Sequence, residues 1–255
     1  MYLDLGQATF ASRTVCPTCG MLYVHGLAED AAAHERVCSE HRVGVPFRGW
    51  KGERVVARWE GGKGQASGEE GGGRIVEVRP DDPARHRALV RRVKAIVDGE
   101  MGFADGGGGT GDEGDDAGGA SSSSSSSSLF GRTAYLCVAG GTVVGLCTVE
   151  VLATAHRLLG GEEEEEGPVP VPAVPNLRRS LLPTRAGMGI HQLWCHPTHR
   201  KGGVATRLVD AARSRLVYGM TVPADLVAFS SPTGDGLAFA RRYSGTGTPL
   251  VYDCL

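Results

Sequence analysis

Residues Met188–Tyr218, MGIHQLWCHPTHRKGGVATRLVDAARSRLVY, constrain the chain most. Met188–Cys195 is apolar and rich in β-formers, so it predicts a strand. Pro197 ends it, because proline supplies no ladder N–H. A helix follows from about Gly203. Val204, Leu208, Ala211, Ala212 and Leu216 then share one face at helical spacing. Between strand and helix lie Arg200, Lys201, Gly202, Gly203, Val204 and Ala205. Two glycines let backbone N–H groups turn inward at a helix N-terminus, which suits a phosphate or pyrophosphate. Arg200 and Lys201 add positive charge. A turn that merely joins strand to helix has the same pattern, so the hexapeptide alone leaves both readings open.

The chain has 255 residues, room for one or two domains. Most of its 39 glycines sit in a few runs, so the folded part is shorter than the whole. A net charge of −2 gives no whole-chain argument for nucleic acid. No apolar run is long enough to span a bilayer. The first residues lack a basic region followed by an apolar core, so no signal peptide is expected. Seven cysteines in that setting point to reduced thiols or metal rather than disulfides.

Four of the potential ligands fall in the pattern C-x2-C-x14-H-x3-C: Cys16, Cys19, His34 and Cys38. Two cysteines on a turn and two ligands one turn apart on a helix can close a tetrahedral Zn²⁺ site. The helix-forming run Glu29–Glu35 surrounds His34. His41 is an alternative to Cys38 as fourth ligand, although the shorter spacing fits one helix face better. The helix opens Ala28, Glu29, Asp30, Ala31, Ala32, Ala33. Carboxylates and alanines there would repel phosphates and read no base, so sequence-specific DNA binding is not expected.

Further strands are expected at Arg54–Trp59, Arg74–Arg79 and Leu226–Ser230, with a last one at Leu250–Asp253. Thr133–Ala139 and Thr142–Val151 flank Gly140-Gly141, a hairpin signal. Pro80–Pro83 starts a helix whose apolar face is Leu89, Val90, Val93, Ile96 and Val97. Leu237–Tyr243 forms another. The segments at about 61–73, 105–128 and 161–185 are glycine-, serine- or glutamate-rich and read as insertions. The resulting division is an N-terminal arm and finger over residues 1–45 and an α/β domain over 46–255, a mixed sheet flanked by helices.

Arg200-x-x-Gly203-x-Ala205 resembles the acetyl-coenzyme A signature of the GCN5-related N-acetyltransferases. More specifically, the chain resembles the sister-chromatid cohesion N-acetyltransferases, the establishment-of-cohesion family. The matching pieces are DLGQ (4–7), CPTCGMLY (16–23), Asp30 and His34, GWKGERVVARW (49–59), VDGEMGF (97–103), GIHQLWCHPTHRKGGVATRLVD (189–210), LVAFSSPTGDG (226–236) and YSGTGTPLVY (243–252). The resemblance implies a histone-acetyltransferase-like fold with an appended zinc finger. It also implies acetyl transfer from acetyl-CoA to a lysine pair on the ATPase head of the cohesin SMC subunit. Replication-fork proteins as further partners and a nuclear, chromatin-associated location follow from the resemblance alone.

Carried onto this sequence, the family pattern assigns backbone groups of Leu193, Trp194 and Cys195 to the pantetheine arm. It assigns Arg200, Lys201, Gly202, Gly203, Val204, Ala205 and Thr206 to the pyrophosphate, and Thr233, Gly234 and Asp235 to the cofactor's side. The family's active-site positions are His191, Asp210 and Ser231, where metazoan members carry serine, glutamate and aspartate. A lysine amine has an unperturbed pKa near ~10.4 and must lose a proton before attack. Asp210, with His191, is the expected positioning and base pair, whereas Ser231 cannot act as base. An ion pair of Asp210 with Arg207 or Arg213 is the competing reading, as is a packed histidine at 191. Trp194 also fits a plain core role, and Asp235 a turn. Two other functions stand beside the first: a catalytically weak zinc-finger scaffold for cohesin or replication proteins, and an acetyltransferase for a small amine.

Overall fold

The computed structural model describes residues 13–60, 72–101, 131–159, 169–170 and 178–253. Nearly all of the expected N-terminal arm and most of the three insertions lie outside these residues. One boundary is corrected. The last part of the 161–185 segment is not insertion but a strand, Arg178–Arg185, paired antiparallel with Thr154–Leu159. Its proline-bearing sequence hides it, because five of its eight residues are exposed and no apolar alternation marks it.

The finger comprises β1 (Arg13–Val15), β2 (Leu22–Val24) and α1 (Ala28–Val43). A mixed sheet follows, built from β3 (Val45–Pro46), β4 (Arg54–Trp59), β5 (Gly73–Val78), β6 (Thr133–Ala139), β7 (Thr142–Val151), β8 (Thr154–Leu159), β9 (Val169–Pro170), β10 (Arg178–Arg185), β11 (Met188–Cys195), β12 (Val227–Ser230) and β13 (Leu250–Tyr252). The strand order is β4-β5-β6-β7-β11-β12-β13-β8-β10-β9, with β3 beside β7. Among the described strands, only the β11–β12 and β12–β13 pairs are parallel. The β6–β7 hairpin turns at Gly140-Gly141, both with positive φ, a conformation glycine adopts without steric penalty.

Strand periodicity sends alternate side chains to two layers. Val76, Val78, Leu136 and Leu146 pack on α2 (Ala84–Met101) through Val90, Val93, Ile96 and Val97. Ile75, Tyr135, Cys137 and Cys147 pack on the other face against α3 (Val204–Arg215). Ala240 of α4 (Gly234–Ser244) joins that second layer. α3 approaches the sheet closely because β7 has Gly145 beneath it. A Cβ there would lie 2.8 Å from Val204 Cγ1 and 3.0 Å from Leu208 Cδ1.

Candidate functional site

The central strand is not regular. Ile190 pairs with Val149, but Gln192 pairs with Thr148, so His191 is the extra residue of a β-bulge. The bulge shifts the alternation. Met188 and Ile190 face the α3 layer before it, and Leu193 and Cys195 face that layer after it. Trp194 packs in the α2 layer. The spacing of apolar residues at 188, 190, 193 and 195 carries this phase change in the sequence.

The bulge also marks where β11 and β12 part. Their parallel pairing runs only from Met188–Val227 to Ile190–Phe229, while β11 continues to Cys195. Gln192 N–H donates to Thr148 Oγ1 and His196 N–H to Val144 O, both on the β7 side. Backbone polar groups along a strand alternate between its two edges. Leu193 and Cys195 therefore direct theirs to the opposite edge, beyond the end of β12. Trp194, expected among the backbone partners of a ligand, instead directs its backbone toward β7. Its indole is buried and donates from Nε1 to Glu100 Oε2 at 2.8 Å, so the core role is the one it fills.

Beyond Cys195 a short 3₁₀ turn, Pro197–His199, leads to Arg200–Gly203. Lys201 and Gly203 have φ of 64° and 80°. Gly203 is the N-cap of α3, and no side chain caps its first-turn N–H groups. Arg207 braces this turn from inside the helix, donating to Gly202 O at 3.0 Å and stacking over Trp59. Arg200, expected to add positive charge to the turn, has partners of its own while its side chain stays half exposed. Its guanidinium binds Glu100 at 3.3 Å and Cys195 O at 3.2 Å. Lys201, the other cation of the turn, is exposed, as is Arg200 itself. Burial pushes the Cys195 thiol up to about 11 despite Arg200 nearby, so it is protonated at neutral pH and poorly suited to be a nucleophile.

His191 lies among Lys94 and Asp98 of α2, Arg132, and Glu150 of β7. Burial, reinforced by Arg132 and Lys94, lowers its imidazole to about 4. Glu150 accepts from Arg132 Nε at 3.1 Å and from the Tyr252 hydroxyl at 2.9 Å. Ser230 Oγ donates to His191 O at 2.7 Å, which places Ser231, with a φ of 32°, just past the bulge. Asp210 is in different company. Its Oδ1 accepts from Tyr243 of α4 and from Arg213 at 3.4 Å, and its side chain is 55% exposed. The expected ion pair with Arg213 thus exists, whereas Arg207 turns to Gly202. Tyr243 was not foreseen as a partner, since only tertiary packing brings α4 beside α3. Thr233 is the N-cap of α4, its Oγ1 accepting from Gly236 N–H, with Gly234 and Asp235 in the first turn.

In the finger the ligand atoms of Cys16, Cys19, His34 and Cys38 all lie within 4.8 Å of one another. Zn–S bonds of ~2.3 Å in a tetrahedron put sulfurs roughly 3.8 Å apart, and Cys16 Sγ and Cys38 Sγ are 3.9 Å apart. His34 Nε2 is buried without a hydrogen-bond partner, as a metal-binding nitrogen would be. Tyr23 stacks on the His34 ring at 4.0 Å and fixes its plane. A hydrogen bond from the Cys19 backbone, then one from the His34 side chain, lowers the Cys16 thiol to about 6, toward the thiolate that zinc requires. This donor set fits a structural zinc ion. His41 stands outside it, its carbonyl facing His196.

The ESCO1/2 acetyl-transferase family matches residues 184–252, and the zinc-finger of acetyl-transferase ESCO matches residues 1–40. The chain carries an ESCO-family acetyltransferase domain and an ESCO-family zinc finger. Its relatives include N-acetyltransferase ESCO2 of Danio rerio, 32% identical over 99% of this chain. N-acetyltransferase ESCO2 of Homo sapiens is 31% identical over 99%. This chain spans 37% of the length of either relative. Among solved structures it is similar to the xEco2 acetyltransferase domain bound to a CoA conjugate, with a TM-score of 0.59 and 28% identity. That match covers 80% of this chain and 99% of the other. No helix among the described residues of the chain is long and apolar enough to cross a membrane.

Proposed function

We propose that this chain transfers the acetyl group of acetyl-CoA to the ε-amine of a lysine in the cohesin SMC subunit, establishing sister-chromatid cohesion at nuclear chromatin during DNA replication. The observation that carries the transfer chemistry is the parting of β11 from β12 beside the uncapped N-terminus of α3. The opened edge offers the backbone groups of Leu193 and the N–H of Cys195, whose carbonyl is taken by Arg200, to an extended amide-bearing arm. The turn Lys201–Thr206 offers N–H groups and a helix dipole to a pyrophosphate. The related Eco2 domain, whose structure holds a CoA conjugate, supports that ligand class. Acetyl-CoA would supply an activated thioester. Leu193 N–H is the donor aimed to stabilise negative charge on its carbonyl oxygen.

Proton removal from the lysine divides the candidates. His191, held near 4 chiefly by burial, is neutral at physiological pH and serves as a hydrogen-bonding group at the bulge rather than a second charge beside the lysine. Asp210 is the proposed carboxylate that receives and orients the ammonium. Among the described contacts, both partners of Asp210 use Oδ1 and leave Oδ2 to the substrate. Cys195 is protonated, which favours direct attack by the amine over an acetyl-cysteine intermediate. The zinc shell proposed is Cys16, Cys19, His34 and Cys38.

The deciding experiment is acetyl transfer by the purified chain to an SMC-head peptide carrying a lysine pair, with Gly203→Glu as control. Transfer that disappears in the control supports the proposal. Binding of acetyl-CoA without transfer to the peptide or to intact cohesin would favour a scaffold, and absence of acetyl-CoA binding would remove the reading.

A further inference from the structure

Three side chains along the α2-facing row of the central strand each bind the framework beside it. Gln192 Nε2 donates to Asp98 Oδ1 at 2.7 Å, and Trp194 Nε1 to Glu100 Oε2 at 2.8 Å. His196, one residue past the strand, does not reach α2. Its Nε2 donates to the His41 carbonyl at 3.1 Å, in the last turn of α1. That helix carries His34 and Cys38 of the zinc cluster. Glu40, adjacent to His41, is held from α2 by both Nε and the terminal nitrogen of Arg92. The end of the zinc-bearing helix is therefore gripped by the acetyltransferase domain at a named point.

The other side of the His196 ring faces the 3₁₀ turn that leads into the Arg200–Gly203 stretch. Nδ1 accepts from Thr198 Oγ1 at 2.7 Å and from Thr198 N–H at 3.4 Å. His196 is also the N-cap of the Pro197–His199 turn, whose end, Arg200, begins the Arg200–Gly203 stretch. A ring protonated on Nε2 satisfies all three contacts. The ring is 1% exposed, so neither end can exchange its partner for water without local opening.

We propose that His196 is a positioning residue that couples zinc binding in the finger to acetyl-CoA binding at the 200–206 turn. This rests on the cofactor reading of that turn. Zinc closes Cys38 and His34 onto Cys16 and Cys19 and so sets the last turn of α1. The His41 carbonyl then fixes the ring of His196, and the ring sets the turn from which Lys201 and the α3 N-terminus project. Because coupling between two binding sites is reciprocal, acetyl-CoA must tighten zinc by the factor by which zinc tightens acetyl-CoA.

The test measures zinc affinity at equilibrium, by competition with a chromogenic chelator, with and without saturating acetyl-CoA. Calorimetry on the zinc-loaded samples reads acetyl-CoA binding directly. In the wild-type chain acetyl-CoA should tighten zinc by about fivefold or more, within the usual range of site–site coupling. His196→Phe keeps a ring but removes both contacts and should abolish the shift. His196→Gln, which can still donate to the His41 carbonyl, should retain part of it. Thr198→Val, at an exposed position, cuts the other half of the link and should also reduce the shift, even where the His196 variants fold poorly. An unchanged shift in His196→Phe and Thr198→Val, or no shift in a wild-type chain that does bind acetyl-CoA, would overturn the coupling. A wild-type chain that binds no acetyl-CoA would overturn the cofactor reading and this inference with it.

Discussion

Tyr243 on α4 donates its hydroxyl hydrogen to Oδ1 of Asp210 on α3. The same phenol oxygen lies 2.8 Å from Arg213, which also reaches Asp210. An exposed carboxylate is thereby held in one orientation by two helices. Burial, and the bond to Asp210, push the tyrosine up to about 12, so it remains a donor at any physiological pH.

If Asp210 orients and deprotonates the lysine, Asp210→Asn should lower turnover by about 10²–10⁴-fold, the usual contribution of a general base. Acetyl-CoA affinity should hardly change. Tyr243→Phe leaves the carboxylate in place but frees it to rotate, so its loss should be smaller. Steady-state turnover beside calorimetric acetyl-CoA affinity checks both. Unchanged turnover in Asp210→Asn would take that residue out of the mechanism.

The zinc shell separates His41 from Cys38 by geometry. His34→Ala and Cys38→Ser should each lose stoichiometric zinc, measured by elemental analysis, and should melt the finger. His41→Ala should still carry one zinc per chain, because His41 meets His196 through its backbone carbonyl rather than its ring.

Acid should weaken the fold through His191. Its imidazole is lowered in the folded chain to about 4 from an ordinary 6.5, chiefly by burial. Between those values the unfolded chain binds the extra proton, so stability is present above about 6.5 and is lost as pH falls toward 4. His191→Gln removes this dependence. Urea midpoints at pH 7.5 and 5.0 should therefore fall further for the wild type than for the variant. An equal fall would show that the ring is not held neutral by its surroundings.

Close packing at β7 yields a stability prediction. Gly145→Ala places a methyl against Val204 and Leu208, with Cys137 Cβ 3.3 Å away on the neighbouring strand. None of these neighbours is the loose end of a long side chain, so α3 must move. We expect a loss of about 1–3 kcal/mol, typical of overpacking, read in the thermal midpoint. Because Val204 begins the helix at the turn proposed to hold the cofactor, acetyl-CoA binding should weaken as well.

Much of this molecule was legible one residue at a time. The β6–β7 hairpin followed from two glycines between β-forming runs, and its strand bounds match the sequence expectation. The helix α3 followed from its 3.6-residue apolar repeat, and the Cys-x2-Cys, His-x3-Cys spacing brought four ligands to one place. Each is a local rule: turn stereochemistry, helical periodicity, or the reach of side chains one turn apart.

What tertiary structure alone decided are the contacts between segments far apart in sequence. Arg200 was expected to add positive charge at the turn, and only the fold brings Glu100 beside it. Trp194 looked like a cofactor neighbour, but the edge alternation set at Gln192 and His196 turns its backbone to β7. The strand β10 takes its place because β8 and β9 offer it ladders on its two sides. Asp210 owes its orientation to a tyrosine more than thirty residues later, and His196 owes its role to a carbonyl at the end of the zinc helix. The physical reason is common to all of them. A side chain's local sequence sets which interactions it can make, while the packing of helices on the sheet sets which partner comes within hydrogen-bonding distance.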